Sequence, residues 1–344
     1  SFPLDMGLVD RIEVVRGPSA SVYGGDSSLG VVNVVTRGAD SLKGTEVALG
    51  LGSGRAADAR VSWGGATAGG ADLVLSYSGS GARGHRVNFP ELASAGIDTT
   101  ASGVEGDRAD KFFGRMKFGG WRATLVHSER DRHVPTGSYA TEFNEGRHRE
   151  TDSFTLAEVA NDLEFDRRNS LHTRLYGGRY AYTGDFPYLY PPYVVNRDRA
   201  VGEWLGFESR ILSTAWADHR WIAGVEYKDN LRQYQRNGDE GFGCFGVGPT
   251  PCLDDRRKSR QFSVYAQDEM AVADATRLTL GLRHDHMTDM PGHWSPRLGL
   301  VHQSENAGIF KLLYASAFSD PTVYQRYYTT PGFPVGNLVL TPES

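Results

Sequence analysis

The sequence predicts an all-β protein, built as one large antiparallel barrel that crosses a membrane with its strands. Three observations predict this fold class. Segments of about ten residues alternate polar and apolar side chains, as strands of a transmembrane barrel do. The gaps between these segments are alternately short and long. The 42 glycines and the 11% of aromatic residues suit a chain of many strands and turns, and no apolar run approaches the ~20 residues of a spanning helix.

The alternating segments predict roughly fourteen strands. They lie near 45–52, 58–66, 71–80, 110–118, 121–130, 153–165, 170–182, 202–212, 219–231, 259–271, 277–287, 296–302 and 308–317, with another beginning near 338. Short gaps such as Gly69-Gly70 and Gly119-Gly120 predict periplasmic turns. Long gaps at 81–109, 131–151, 183–201, 232–257 and 318–337 predict extracellular loops. Segment 153–165 alternates poorly, which predicts a β-bulge or a misplaced boundary there.

The face assignment within a strand predicts a polar barrel interior. Leu278, Leu280 and Leu282 share one face of their segment, while Arg283 and Asp285 share the other. A charged side chain facing lipid is costly, so the charged face is expected to point into the lumen. A polar interior fits a wide barrel that holds water or another part of the protein.

Charge and cysteine content narrow the function classes. The 344-residue chain has a net charge of −5 and no basic stripe, which excludes nucleic acid as an expected partner. Cys244 and Cys252 lie in a loop rich in glycine and proline. A disulfide in an oxidising compartment is the first interpretation, and a metal-binding pair is the alternative.

The stretch 9–37 is the most distinctive local pattern. A short apolar run, Ile12, Val14 and Val15, is interrupted by Glu13 and flanked by Arg11 and Arg16, and it precedes a turn at Gly17-Pro18. A second break follows at Tyr23-Gly24. The β-branched run 30–36 then predicts a buried strand, and the polar segment 38–41 after it predicts a small linker.

This order of residues closely resembles the end of the plug domain of TonB-dependent outer-membrane receptors. The segments 265–269, 280–285 and 295–300 resemble the middle of the barrel of the same family. The resemblance implies that 1–40 is the C-terminal part of a plug domain and 41–344 a transmembrane barrel, incomplete at its C-terminus. Complete members close about 22 strands around the plug. Leu29 departs from the pattern, because the family usually has a glycine there.

The resemblance implies active uptake of a scarce ligand across the bacterial outer membrane, not bond chemistry, with no cofactor. The expected partners are outer-membrane lipid, an extracellular small molecule and a TonB-type inner-membrane protein, whose contact segment is expected N-terminal to this chain. A ferric siderophore is the first expected ligand, and cobalamin, haem and oligosaccharide remain alternatives. A passive porin would not need the plug motif. A barrel enzyme would need a clustered nucleophile and base, which the sequence does not show.

Aromatic side chains in two predicted outer loops are the candidate ligand contacts: Phe186, Tyr188, Tyr190 and Tyr193 in one, and Tyr324, Tyr327 and Tyr328 in the other. Rigid rings give a large contact area at low entropic cost, although girdle or loop packing would use the same residues. His127, His133 and His148 border another loop, for which a solvated loop is the first interpretation and a metal site the alternative. The resemblance also suggests Glu203, Glu208, Glu226 and Glu269 as barrel partners of the plug arginines.

Overall fold

The fold is described from a computed structural model of the chain. The structure describes residues 2–16, 21, 24, 25, 27, 30–96, 98–189, 192–248, 250–330, 333, 334 and 336–343. Four predicted site residues, Gly17, Pro18, Tyr23 and Tyr190, lie outside this part of the chain, as does the side chain of Arg16.

The described chain consists of β-strands with a few short helices. The strands are β1 (Val9–Arg16), β2 (Gly30–Thr36), β3 (Gly44–Gly52), β4 (Ala56–Ala66), β5 (Asp72–Ala82), β6 (Arg86–Asn88), β7 (Thr100–Ser102), β8 (Asp107–Phe118), β9 (Trp121–His133), β10 (Arg149–Glu164), β11 (Asn169–Tyr188), β12 (Val194–Ser213), β13 (His219–Asp239), β14 (Gly241–Phe242), β15 (Gly246–Val247), β16 (Leu253–Ala273), β17 (Thr276–Met287), β18 (His293–Ser304), β19 (Gly308–Ala315), β20 (Thr329–Thr330) and β21 (Phe333–Pro334). The α-helices are α1 (Ala39–Leu42) and α2 (Val323–Tyr327), and 3₁₀ turns occupy Met6–Leu8, Pro90–Ala95, Ser138–Ala140 and Gly243–Phe245. No helix in the described ranges is long and apolar enough to cross a membrane.

One antiparallel sheet of thirteen strands forms the body of the molecule, which confirms the predicted fold class. Its order is β19-β18-β17-β16-β13-β12-β11-β10-β9-β8-β5-β4-β3, so most neighbours in the sheet are also neighbours in the chain. The prediction of a strand beginning near 338 is wrong. Leu338 and Val339 lie in a turn, and Glu343 forms an isolated bridge to Ser319.

Several strands extend further toward the outer loops than the sequence pattern predicts. The predicted loop 183–201 is reduced to 189–193, because β11 runs to Tyr188 and β12 begins at Val194. Strand β10 begins at Arg149 and pairs with both neighbours without a register shift, so the predicted bulge is wrong and the predicted boundary was misplaced. Above the lipid both faces of a strand meet water, so the ladder continues where the apolar alternation has ended.

Side chains alternate between the lumen and the outer surface as predicted. On β17, Arg283 and Asp285 are buried on the inner face, while Leu280 and Leu282 are exposed on the outer face. On β16, Phe262 and Val264 are exposed, whereas Ser263 and Tyr265 are buried. The barrel wall therefore has an apolar outer surface and a polar inner surface.

The segment before the barrel forms a two-stranded ribbon and a one-turn helix. Strands β1 and β2 pair antiparallel. The prediction of a buried strand is wrong for this ribbon, because Val32 is 63% exposed and Ile12 and Val14 are also exposed. A two-stranded ribbon has no second layer to cover its apolar faces. The predicted polar linker at 38–41 coincides largely with α1 (Ala39–Leu42).

An apolar core joins this segment to the inner wall of the barrel. Leu8 and Leu42 are buried against Val74, Phe113 and Val126, which point inward from β5, β8 and β9. The ribbon and α1 are thereby held inside one half of the barrel.

Candidate functional site

Cationic side chains of the barrel hold the N-terminal segment 2–42, which is called the plug segment here after the sequence-based prediction. Arg60 on β4 is buried and contacts the carboxylates of Asp5 at 3.2 Å and Glu46 at 2.6 Å. Arg115 on β8 donates to the hydroxyl of Thr36 at 2.6 Å and to the carbonyl of Arg37 at 2.7 Å. These contacts tie both ends of the plug segment to the same side of the lumen.

The suggested pairing of Arg11 with barrel glutamates is wrong in this structure. Arg11 is exposed and pairs with its neighbours Asp10 and Glu13 at 3.1 and 2.7 Å. The hydrogen bonds from Arg11 and Asn33 lower the pKa of Glu13. The four glutamates named as partners bind barrel arginines instead: Glu203 binds Arg179, Glu208 binds Arg174, Glu226 binds Arg283 and Glu269 binds Arg277. Three of these pairs join neighbouring strands, and the Glu226–Arg283 pair reaches across β16, so the wall neutralises part of its own charge.

A cavity of about 670 Å³ lies in the lumen between the plug, the barrel wall and α2. The plug contributes Gly24 and Gly25 to its lining. Gly24 has a φ of +82°, and a Cβ there would lie 2.9 Å from Nη2 of Arg283. Only glycine suits both the backbone conformation and this close approach, which explains the glycine after Tyr23 in the sequence motif.

The lining of this cavity is rich in cationic groups. Lys228 on β13, Arg257 on β16, Arg283 on β17 and Arg326 on α2 all contribute to it. The guanidinium of Arg257 lies 3.3 Å from the ring centre of Tyr327, and that of Arg326 lies 4.9 Å from it. The Tyr327 ring is therefore in contact with two cations at the cavity edge.

Helix α2 is held inside the barrel by specific polar contacts. Thr322 and Gln325 form a capping box at its start. Tyr328 is buried and donates its hydroxyl to Asp198 on β12 at 2.7 Å, and the amide of Gln235 donates to the carbonyl of Val323 at 3.2 Å. Burial and the neighbouring Asp198 raise the pKa of the Tyr328 phenol far above its usual value.

The structure separates the predicted aromatic contacts into packed and accessible ones. Tyr324 is 52% exposed and stacks on Tyr328 with ring centres 4.5 Å apart. Tyr193 is 40% exposed in the loop after β11. Phe186 is buried, and its ring packs against Tyr139 and His148 with ring centres 5.8 and 5.2 Å apart. Phe186 therefore packs against the loop 134–148 and is not accessible to a ligand.

Tyr139 is a central aromatic residue that the sequence analysis missed. Besides contacting Phe186, it accepts a hydrogen bond on its carbonyl from the hydroxyl of Tyr188. Tyr139 also lies close enough to Tyr324 to affect the pKa of the Tyr324 phenol. Burial is the main reason that this pKa is raised above its usual value. Tyr139 therefore stands between the two predicted aromatic clusters. A single tyrosine in the polar stretch 134–148 carries no sequence signal that would identify this role.

The loop 134–148 is folded over a buried histidine, so its interpretation as a solvated loop is wrong at this position. His148 is fully buried, and Nδ1 lies 3.2 Å from the hydroxyl of Thr141. Its Nε2 has no hydrogen-bond partner within the described residues and lies 3.9 Å from the carboxylate of Glu150. Burial lowers the pKa of His148. The described part of the chain contains no group of three or more potential metal ligands.

Cys244 and Cys252 are joined by a disulfide, with their Cα atoms 5.8 Å apart. The bond closes the loop between β13 and β16. It places the ring of Phe245 4.3 Å from the guanidinium carbon of Arg236 and 5.4 Å from that of Arg199.

Comparison with known proteins identifies the fold. Residues 97–344 match the family model described as TonB dependent receptor-like, beta-barrel. The chain is 27% identical to the ferric enterobactin receptor of Pseudomonas aeruginosa over 92% of its own length and 47% of that protein. It is 23% identical to the vitamin B12 transporter BtuB of Vibrio cholerae over 99% of its length and 51% of the transporter.

Solved structures agree with this result. A crystal structure of a mutant ferric enterobactin receptor from Pseudomonas aeruginosa superimposes with a TM-score of 0.69 and 20% identity, covering 94% of this chain and 50% of that one. The unliganded ferric citrate transporter FecA gives a TM-score of 0.68 and 17% identity, covering 92% of this chain and 50% of that one. The chain spans about half the length of these relatives. The family match covers most of the chain and agrees with the observed sheet, so the chain belongs to the TonB-dependent receptor family of outer-membrane β-barrels.

Proposed function

We propose that the full-length protein is a TonB-dependent receptor that binds an anionic ferric siderophore in its lumen and carries it across the outer membrane. Membership of the family supports active uptake as the general function. Two of the similar proteins are, by name, a ferric enterobactin receptor and a ferric citrate transporter. Because the chain spans about half of these relatives, ligand, partner and activity all belong to the proposal.

The observation that carries the choice of ligand is the charge of the lumenal cavity. Its cationic groups on β13, β16, β17 and α2 outnumber its carboxylates Glu226, Asp289 and Asp320. Ferric complexes of catecholate and hydroxycarboxylate chelators carry net negative charge. Guanidinium groups bind such oxygen anions through charge-assisted hydrogen bonds, which are among the strongest in proteins.

The aromatic groups at the cavity edge favour a chelate with planar rings. Tyr327 already accepts guanidinium groups near its ring, and Tyr324 offers an exposed ring beside it. Flat aromatic or catecholate groups stack on such surfaces. Tyr193 is exposed in the outer loop after β11. We propose Tyr324, Tyr327 and Tyr193 as ligand contacts, with Tyr328 as the residue that positions α2.

Release of the ligand would follow from movement of the plug. The plug segment lines the cavity with Gly24 and Gly25 and is held to the wall by hydrogen bonds and ion pairs as well as by the apolar core. Polar contacts of this kind can exchange with water when the plug moves. We propose that a TonB-type inner-membrane protein supplies the energy for this movement, since that dependence defines the family.

The test uses a strain that lacks the gene and carries the full-length protein on a plasmid. Uptake of radiolabelled iron is measured with a panel of ferric siderophores under iron limitation. We expect one anionic chelate to depend on the gene. The variant R257Q/R326Q should bind that chelate at least tenfold more weakly, since each charge-assisted contact contributes about 1.5–3 kcal/mol.

Arg277→Gln is the control, because Arg277 is an exposed arginine at the opposite end of the barrel. It should leave uptake unchanged. Gene-independent uptake of every ferric chelate would overturn the siderophore proposal. Cyanocobalamin is then the second candidate, because vitamin B12 transporters are among the relatives that match nearly the whole chain. Its uptake is measured in the same strains.

A further inference from the structure

A group of arginines faces away from the lumen on the outer ends of four neighbouring strands. The arginine patch consists of Arg179 on β11, Arg199 on β12, Arg232 and Arg236 on β13, and Arg256 and Arg260 on β16. Arg256 also borders the lumenal cavity. Residues next to them in sequence, such as Asp198 and Gln235, point into the lumen and contact α2. Alternation along a strand therefore directs the patch outward.

The patch carries more positive charge than its surroundings neutralise. Glu203 contacts both Arg179 and Arg232, at 3.3 and 3.9 Å. Asp229 lies 3.6 Å from Arg260, and Asp254 lies 3.2 Å from Arg256. Six arginines thus meet three carboxylates, although the chain as a whole has a net charge of −5.

Two members of the patch form a like-charge pair. Arg199 and Arg236 are directly opposite each other in the pairing of β12 with β13. On the other side of β13, Arg236 lies opposite Asp254, whose carboxylate contacts Arg256. Like charges directly opposite each other, as Arg199 and Arg236 are, destabilise a sheet. Neither arginine forms an ion pair within the described ranges; both lie near the ring of Phe245, and Nε of Arg236 is buried without a partner. An external anion would relieve this repulsion.

The patch begins where the apolar outer surface of the same strands ends. Leu205 and Phe207 on β12, Val225 and Tyr227 on β13 and Phe262 on β16 are exposed on the outer face. Arg260 follows Phe262 at the next outward position of β16. From Leu205 to Arg199 is about 20 Å along the strand, which a strand tilt of about 40° reduces to about 15 Å of height. The patch therefore spans the headgroup layer and the space directly above it.

We propose that the arginine patch binds the phosphate-bearing headgroup of a lipid in the outer leaflet of the surrounding membrane. The apolar surface below would contact the acyl chains, and the guanidinium groups would bind the phosphates. The patch extends from Arg260 to the pair of Arg199 and Arg236. A large headgroup with several negative charges can contact both ends of it. Tyr234 lies between Arg232 and Arg256, with its ring 5.1 and 5.4 Å from their guanidinium carbons, and holds both side chains in place.

The experiment uses the purified full-length protein in a neutral detergent. A disaccharide glycolipid that carries two phosphates is titrated in, and its binding is followed by native mass spectrometry. The phosphate-free glycolipid with the same acyl chains is titrated in parallel. We expect the unaltered protein to prefer the phosphorylated lipid, and salt to weaken this preference.

Arginine-to-glutamine substitutions test whether the residues of the arginine patch bind the lipid. The variant R179Q/R232Q/R260Q should bind the phosphorylated lipid about 100-fold more weakly, since each basic residue at an anionic surface contributes roughly a factor of five. Arg256→Gln should weaken it about fivefold. Arg108→Gln is the matched control: Arg108 also pairs with a carboxylate two residues away at 3.2 Å and is equally exposed, at 78% against 74%, but lies on β8, outside the patch. It should leave binding unchanged.

The barrel of each variant is checked by its heat-dependent migration in detergent gels, and the R256Q and R108Q pair carries the test if the triple variant does not fold. Equal binding of the two lipids by the unaltered protein would overturn the proposal, as would an undiminished preference in R179Q/R232Q/R260Q. Displacement of the lipid by inorganic phosphate at the same phosphate concentration would also overturn it, because the patch would then be a site for free anions.

Discussion

At the scale of a single residue, burial changes the pKa of His148 in a way that the sequence does not predict. Its imidazole packs on Phe186 beneath the loop 134–148. Its Nε2 has no hydrogen-bond partner among the described residues and lies 3.9 Å from the carboxylate of Glu150. Arg132 opposes the charged form, and Glu150 supports it. Burial outweighs the effect of Glu150, so the pKa of His148 is lowered below its usual value of 6.5.

The loop should therefore become less stable in acid. In the unfolded loop His148 binds a proton near pH 6.5, whereas in the folded loop it does so only at lower pH. The stability of the loop is complete above about pH 6.5 and falls as the pH drops below that value. The protection factors of residues 134–148, which correct for the slower intrinsic exchange in acid, should fall between pH 7 and pH 5. His148→Phe should remove this dependence, and an identical fall in protection in that variant would contradict the assignment.

At the scale of a secondary-structure element, α2 is a helix too short to be stable alone that tertiary contacts hold in place. Five residues are far too few for an isolated helix. Its position depends on the capping box and on the contacts from Tyr328 to Asp198 and from Gln235 to Val323. Because α2 carries Tyr327 and Arg326 to the cavity, its docking decides the shape of the proposed ligand site.

Tyr328→Phe should loosen α2 by about 1–3 kcal/mol, since it leaves the buried carboxylate of Asp198 without this donor. Faster hydrogen exchange over 320–328 is the measurement. Tyr324→Phe is the control, because the hydroxyl of that half-exposed side chain has no hydrogen-bond partner in the described residues. Equal exchange in the two variants would show that the bond to Asp198 does not hold the helix.

At the scale of the whole molecule, the seating of the plug depends on the barrel. Arg60 is the most buried of the cationic contacts and binds Asp5 and Glu46 together with the hydroxyl of Ser62. Leu8 and Leu42 add an apolar contact to the same region of the wall. Removal of Arg60 would take from Asp5 its cationic partner and leave Glu46 with Arg37, while the apolar contact remains.

Arg60→Gln should therefore loosen the plug without unfolding the barrel. In planar bilayers the full-length variant should show more frequent channel openings than the unaltered protein, and its heat-dependent gel migration should be retained. Arg60→Lys keeps the charge and should restore most of the closed state. Closed-state behaviour in R60Q equal to that of the unaltered protein would show that other contacts seat the plug.

Periodicity along the chain predicted the thirteen strands of the described sheet and their faces, but it also predicted a strand near 338 that the structure does not have. A period of two, as in the run from Leu278 to Asp285, follows from the strand itself and from the contrast between lipid and a polar lumen. The plug motif likewise predicted the family. On β12, however, the alternation predicted a strand over 202–212 only, whereas the strand begins at Val194. Strand residues above the lipid face water on both sides, so their side chains no longer alternate between polar and apolar.

The sequence by itself thus determined the fold class, the family and the alternation of each strand, all of which depend on local order and on the solvent that each face meets. The tertiary structure decided which side chains share a site. Arg60 meets Asp5 and Tyr328 meets Asp198 because segments outside the sheet pack against its inner face. Arg199 lies opposite Arg236 because the sheet brings β12 and β13 into register. Burial of Phe186 and His148 was decided in the same way, by a loop that folds back over β11. Contacts between residues far apart in sequence depend on pairing and packing, which no local pattern records.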